Sequence, residues 1–517
     1  MSASLLSLPS PNFFGTGLFY ALLILNQSSS KYLVFGALAI GLFASVVDHG
    51  SVIVALPSIA EHLYIDLPSV QWVVIGFALT ISALLLPMGR LADIIGQKRV
   101  YILGSVILMV GAAGAGLAPN LATLLLARIL QGVGAAMTQG TGMAIMTSVF
   151  PPTERGRAIG LLMTTVGVGA VAGPAIGGAV VDFIHWRAVF FLNIPLGLVG
   201  VIATLYVLRR WESERASQGS SFDWTGAILS TGVLVALLLG LTLAVNRGWM
   251  SAPILAAFVL SAGMFVAFIW WELRTPAPMF NLRFFRDRVF SCGVSAAFLT
   301  FLGQSSVLFL MPFYIQNVLG YSPKIAGLVV MPGALCMAIM GSVTGTLSDK
   351  FGWRWFTVGG MVCSTVGLVI LSRVTDTSPL WEVIPGLILI NCGMGMFYSP
   401  NSSSVLSAVG RESYGVVSGF LNLVRNSANV ISLAIATTIV TVTMGSLGFE
   451  PSLEAVRTSA VEGVRGAFTV GMRYAFYVLI ALVIASMTVS FLQGQAKPAL
   501  RPAQPSPQPE ESAATGD

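Results

Sequence analysis

Two ionisable side chains stand where ionisable side chains are costly. Asp48 lies in "LFASVVDHGSVIVALP", residues 42–57, and Arg128 in "ARILQGVGAAM", residues 127–137. Both stretches are otherwise apolar. A charge at the centre of a membrane span costs roughly 2.5–3.5 kcal/mol on insertion scales, so such residues are suspects for function. A carboxyl group in an apolar wall can take up and release a proton, and a guanidinium facing it can tune that exchange. Gln131, on the same helix face as Arg128, extends the polar patch. His49, beside the acid, reads as a pore-lining or interfacial ring rather than a proton relay. His62 and His185 read as solvated at the far face. Other chemistries find no support: there is no nucleophile–base pair, no metal-ligand cluster and no G-x-x-x-x-G-K-[ST] loop for ATP. No metal and no resident cofactor is expected.

The elements that position these groups are apolar helices. Of the 517 residues, 55% are hydrophobic and only 9% charged, against about 25% charged in soluble domains. Apolar runs of about 20 residues recur along the chain, each long enough to cross a bilayer. A transmembrane β-barrel would instead show alternating ten-residue strands. The fold class expected is therefore an all-α polytopic membrane protein with fourteen spans between residues 32 and 493. Residues 1–31 are expected as an interfacial or disordered leader, since no Lys or Arg precedes the apolar stretch 13–25, as a secretory signal would require. The Pro-, Gln- and Glu-rich stretch 494–517 is expected as a disordered tail. The four cysteines, Cys292, Cys336, Cys363 and Cys392, fall inside apolar helices and read as small core residues.

Most of the 27 Lys and Arg residues fall in loops on one side of these spans, and few on the other. The positive-inside rule makes the richer side cytoplasmic, with both termini there, in a multi-pass cell-membrane protein. The net charge of +6 reflects these loops, so no nucleic-acid partner is expected; membrane lipid is.

"GRLADIIGQKR" at 89–99 and "GTLSDKFGWRW" at 345–355 share the pattern G-x-L-[AS]-D-x-x-G. Pro57 and Pro312 recur at nearly the same offset. A duplicated six-helix unit explains both, with two extra helices between the copies. The units expected are 32–210, 223–271 and 289–493. Two such halves can rock about a site near the midplane.

On these motifs the chain resembles the major facilitator superfamily, and within it the fourteen-helix branch of drug:proton antiporters. The resemblance implies the major facilitator fold, two pseudo-symmetric six-helix bundles plus two inserted helices. Gly89, Arg90, Asp93, Gly96 and Arg99 look like the family's gating motif, echoed at Asp349. There an acid can accept hydrogen bonds from a neighbouring helix N-terminus or pair with an Arg. Arg128, Gln131 and Gly132 are similar to the helix 4 motif. Gly169, Gly173, Pro174, Gly177 and Gly178 in "GAVAGPAIGG" are similar to the antiporter motif of helix 5. Asp48 followed by Pro57 looks like the helix 1 signature, with Gly50 and Ile53 where Thr and Asn are common. "QWVVIGFAL", "WRAVFFLNIPLG" and 399–430 also fit, and add Trp72, Phe77, Asn401 and Arg425 to His49 as candidate cavity residues.

The resemblance implies a proton-coupled antiporter that exports lipophilic small molecules, with Asp48 and Arg128 as the coupling pair. Export of one endogenous metabolite or lipid by the same mechanism is the alternative, and a membrane-embedded enzyme or sensor the reading from another class. Asp48 is the one clear acid inside the spans, so a neutral or monocationic substrate is expected, carried by a monomer. Leu453, Val456, Val461, Val464 and Phe468 suggest a short helix in the outer loop 446–469.

Overall fold

The computed structural model describes residues 13–65, 67–207, 222–276, 278–450, 456 and 463–493. The tail 494–517, residues 1–12 of the leader and most of the outer-loop element (451–455 and 457–462) lie outside the described residues. Fourteen described helices are long and apolar enough to cross a membrane. They are α1 (Phe13–Leu63), α2 (Trp72–Ile95), α3 (Gln97–Gly116), α4 (Leu121–Val149), α5 (Arg155–Phe183), α6 (Trp186–Val207) and α7 (Trp224–Arg247). The remainder are α8 (Ala252–Glu272), α9 (Arg288–Val318), α10 (Pro323–Phe351), α11 (Arg354–Leu371), α12 (Leu380–Ser407), α13 (Tyr414–Ser446) and α14 (Val464–Leu492). Each of the fourteen expected spans falls on one of them. The backbone from residue 13 of the expected leader is the first part of α1.

Helices satisfy their own backbone groups, which is what a bilayer without water demands. Side chains close some of their ends. The Asn120 side chain accepts from Thr123 N at 3.0 Å to start α4. Asp223 does the same for Gly226 N in α7 and Asp287 for Phe290 N in α9.

The packing repeats with a shift of eight helices. Within the first half α1 packs on α5 and α6, α2 on α4, and α3 on α4 and α6. Within the second α9 packs on α13 and α14, α10 on α12, and α11 on α12 and α14. The halves meet along two seams, α2 on α13 and α5 on α10. The hairpin α7–α8 breaks this symmetry. α7 lies against α2 and α13, so it bridges one seam and leaves the other uncovered. Leu238 and Leu241 of α7 share a core there with Ala434 of α13.

Both seams depend on glycine. A Cβ at Gly89 would meet the Gly415 carbonyl at 2.5 Å, and one at Gly345 would strike the Gly156 carbonyl. The repeated motif's second glycine has another task. Gly96 (φ 103) and Gly352 (φ 85) turn the chain through positive φ between α2 and α3 and between α10 and α11. L-residues populate that region only under strain.

Gly96→Ala is therefore expected to lower stability by about 1–3 kcal/mol. Gly142→Ala, in the interior of α4 with open space at its Cβ position, should raise it by about 0.5–1 kcal/mol. Thermal unfolding of the purified variants in one detergent measures both signs.

Candidate functional site

Four polar side chains meet inside the first half. Asp48 of α1, Arg128 and Gln131 of α4 and Asn193 of α6 are each 2% exposed or less. Asp48 Oδ2 accepts from Arg128 Nη1 at 2.8 Å. Its Oδ1 accepts from Gln131 Nε2 at 3.1 Å and from Asn193 Nδ2 at 2.6 Å. Arg128 also donates from Nη1 to Gln131 Oε1 (2.7 Å) and from Nε to the Val73 carbonyl of α2 (3.1 Å). The guanidinium carbon lies 4.0 Å from the centre of the Phe77 ring and 5.6 Å from that of Phe190. A buried ion pair is tolerated only where further hydrogen bonds support it; here they come from α2, α4 and α6, with Arg128 Nη2 left as a buried donor without a partner among the described residues.

Local sequence explains how the groups meet. Gln131 sits three residues after Arg128, on the same helix face. Asn193 opens the second part of α6, after the helix is interrupted at Leu192. The sequence reading passed over Asn193, although a lone amide in "FFLNIPLG" was the available signal. Phe77 lies under the guanidinium rather than along open space.

α1 reaches this position by lying backbone to backbone on α5. A Cβ at Gly173 would sit 3.2 Å from the Gly50 Cα, and one at Gly169 2.9 Å from Val46. Gly177 faces Ser51, and Ser51 Oγ donates to the Gly173 carbonyl at 2.7 Å. Gly132 gives α4 the same closeness to Thr80 of α2, while Gly178 stands off, 3.8 Å from Val54. Gly50, where a Thr is common in the branch, has a packing reason: a Cβ there would meet Pro174 at 2.9 Å.

His49 and Ile53 are exposed on the remaining face of α1. That face lies between Ser45, bonded to Gln139 of α4, and Val46, packed on Gly169 of α5. Both α4 and α5 reach the second half, so the face opens on the space between the halves. Arg425 of α13 lies at the same junction. Asn422, one turn earlier, donates to the Gln139 carbonyl of α4 at 3.3 Å. The Arg425 guanidinium carbon is 5.9 Å from the centre of the Tyr398 ring of α12. Asn401 is buried elsewhere, tying α12 to the Gly293 carbonyl of α9 at 3.1 Å. Trp72 is half-buried at the start of α2, far along that helix from Arg90.

At the end of the bundle that carries the basic loops, each seam has a carboxylate latch. Asp93 accepts from Gly415 N and Val416 N, both at 2.8 Å, at the start of α13. Asp349 accepts from Gly156 N (2.9 Å) and Arg157 N (3.0 Å) at the start of α5. An anionic side chain on the free N–H groups of a helix start is favoured by both hydrogen bonding and the helix dipole. Ser399 Oγ adds a bond to the Gly156 carbonyl at 2.5 Å. The basic end is shut. Arg90 is half-buried beside Asp93 and Arg99 is exposed.

The Major Facilitator Superfamily sequence model matches residues 38–433. The chain belongs to the Major Facilitator Superfamily. Among curated members, it is 32% identical over 408 residues to the riboflavin transporter RibZ of Clostridioides difficile, covering 79% of this chain and 87% of the relative. It is 30% identical over 429 residues to the multidrug resistance protein Stp of Mycobacterium tuberculosis, covering 83% of this chain and 79% of the relative. The proton:xylose symporter XylE shares the facilitator fold, with a TM-score of 0.61 at 14% identity over 89% of this chain and 95% of that one. As a facilitator-superfamily member, the protein is a multi-pass membrane transporter and not an enzyme.

Arg128→Met removes the cation and leaves Asp48 buried without its counter-charge. The expected loss is about 3–5 kcal/mol of stability. Adding Asp48→Asn should recover most of it, because an amide carries no charge to strand. Thermal unfolding of wild type, both single variants and the double variant measures the coupling.

Proposed function

We propose that the protein is a proton-coupled antiporter that exports lipophilic small molecules across the cell membrane by alternating access, with both termini cytoplasmic. One observation carries this reading: a carboxylate buried in a transport helix, held by an arginine and two amides from other helices. The positive-inside rule supports assigning the shut, Lys- and Arg-rich end to the cytoplasm. In this reading the protein faces outward, and Asp48 takes a proton from the outer side when the hydrogen bonds that enclose it open.

Protonation changes the balance inside the first half. Neutral Asp48 no longer offsets Arg128, and an uncompensated buried cation is costly. Arg128 retains Gln131 Oε1 and the Val73 carbonyl, so its hold shifts from α1 toward α4 and α2. α1 carries that change to α5 through their glycine contact, and α5 forms one of the two seams. Opening that seam exposes the Asp349 latch to water, and the Asp93 latch on the α2–α13 seam opens with it, since carboxylates and helix N-termini are readily solvated. Release of the proton inside restores the ion pair. Each proton entering down 100 mV contributes about 2.3 kcal/mol.

A second reading has its own support. One relative is a riboflavin transporter, which favours a single metabolite as cargo rather than a range of compounds. A panel of lipophilic compounds and metabolites separates the two: several weak substrates fit multidrug efflux, and one strong substrate fits the alternative.

In liposomes with an imposed pH gradient, wild type is expected to move protons when substrate is added. Asp48→Asn should fold and bind substrate but lose substrate-driven proton movement at least tenfold. Full coupled transport by that variant sinks the reading.

A further inference from the structure

Resting on the exporter reading above, we propose that Arg425 is the anchor for an anionic group, so that the preferred cargo is a lipophilic monoanion, such as an aryl carboxylate. The sequence-based preference for neutral or monocationic cargo counted acids inside the spans. Counting which charges are already paired points the other way.

Asp48 is the acid a cationic cargo would seek. Its carboxylate is 2% exposed and fully engaged by Arg128, Gln131 and Asn193. Asp93 and Asp349 are spent on helix N-termini at the shut end. Arg425 is different. It lies twelve positions into α13 and is half-buried. Among the described residues its one described contact is the Tyr398 ring at 5.9 Å, near the limit of a cation–π interaction.

The helices around Arg425 offer no counter-ion. α4, α7, α9, α13 and α14 contain no acidic residue; on α2 the acid is Asp93, held at the start of α13, and on α12 it is Glu382, in the first turn at the far end. A cation held in a membrane-spanning region without a counter-charge is costly. The cost falls when a ligand supplies the charge, and a guanidinium binds a carboxylate through two parallel hydrogen bonds.

The neighbouring surface suits the rest of such a ligand. Val424, beside Arg425, joins Val294, Ser295, Phe298 and Leu299 of α9 around an open, mainly apolar pocket of about 390 Å³. A neutral polar contact lies nearby: Asn429, one turn beyond Arg425, accepts from Ser305 Oγ of α9. A cationic cargo would meet the unpaired guanidinium with like charge.

The test is a ranking of three fluorescent probes that share one dansyl body: dansylglycine (anion), dansylglycinamide (neutral) and N-(2-aminoethyl)dansylamide (cation). Binding to purified protein in zwitterionic nanodiscs is read from dansyl emission, with empty discs subtracted. Wild type is expected to bind dansylglycine at least tenfold more tightly than the amide, and the cation most weakly. Arg425→Gln should bring the anion within about twofold of the amide while amide binding persists, which also reports an intact fold. Arg425→Lys should keep part of the preference. An unchanged anion-to-amide ratio in Arg425→Gln overturns the proposal. If that variant does not fold, the wild-type ranking decides alone: equal or weaker binding of the anion, or no binding of any probe, overturns it. Binding needs no gradient. Absence of substrate-driven proton movement would therefore sink the antiport reading and leave this ranking untouched.

Discussion

A charge among hydrocarbon must find its counter-charge inside the protein, and the Asp48–Arg128 pair is where this constraint is sharpest. The pair draws α1, α2, α4 and α6 to one point. Phe77 and Phe190 cover it, and Gln131 and Asn193 use the lone pairs that the arginine leaves. Neither partner can be lost without leaving the other buried and unpaired. A single proton, by contrast, can change the balance without moving a heavy atom. That is the property a coupling site needs.

The seams between the halves rest on a different device. Helix N-termini carry unpaired N–H groups, and Asp93 and Asp349 accept two each. The carboxylates reach them because glycines at 89 and 415, and at 156 and 345, let the helices touch backbone to backbone. Contacts of this kind are strong when closed and easily replaced by water when open. Duplication supplies two of them, one on each seam at the same end of the bundle.

The duplication preserves topology and not chemistry. Gln304 of α9 follows Asp48 at the offset that separates Gly89 from Gly345, and it is neutral and 4% exposed. The first half pairs Asp48 with Arg128, and the second presents Arg425 without a counter-ion among the described residues. The inserted hairpin adds another asymmetry by bridging only the α2–α13 seam. The buried ion pair and the unpaired arginine therefore lie in different halves of one molecule.

The helices and the duplication were legible in the sequence because a bilayer allows few solutions. Apolar runs must be helices, basic loops mark one side, and a repeated G-x-L-[AS]-D-x-x-G must serve one geometric purpose twice. Asp48 and Arg128 stood out for the same reason, since a charge in an apolar run is rare. What tertiary structure alone decided is who meets whom. Asn193 is 145 residues from Asp48, and nothing local sets an amide in one span against an acid in another. Gly50 looked like a lost polar group until its contact with Pro174 gave it a packing role. Arg425 resembled other candidate cavity residues until Asp48, Asp93 and Asp349 were found to be engaged elsewhere. Sequence lists the charged groups a membrane protein carries; only packing over long separations determines which of them remain unpaired.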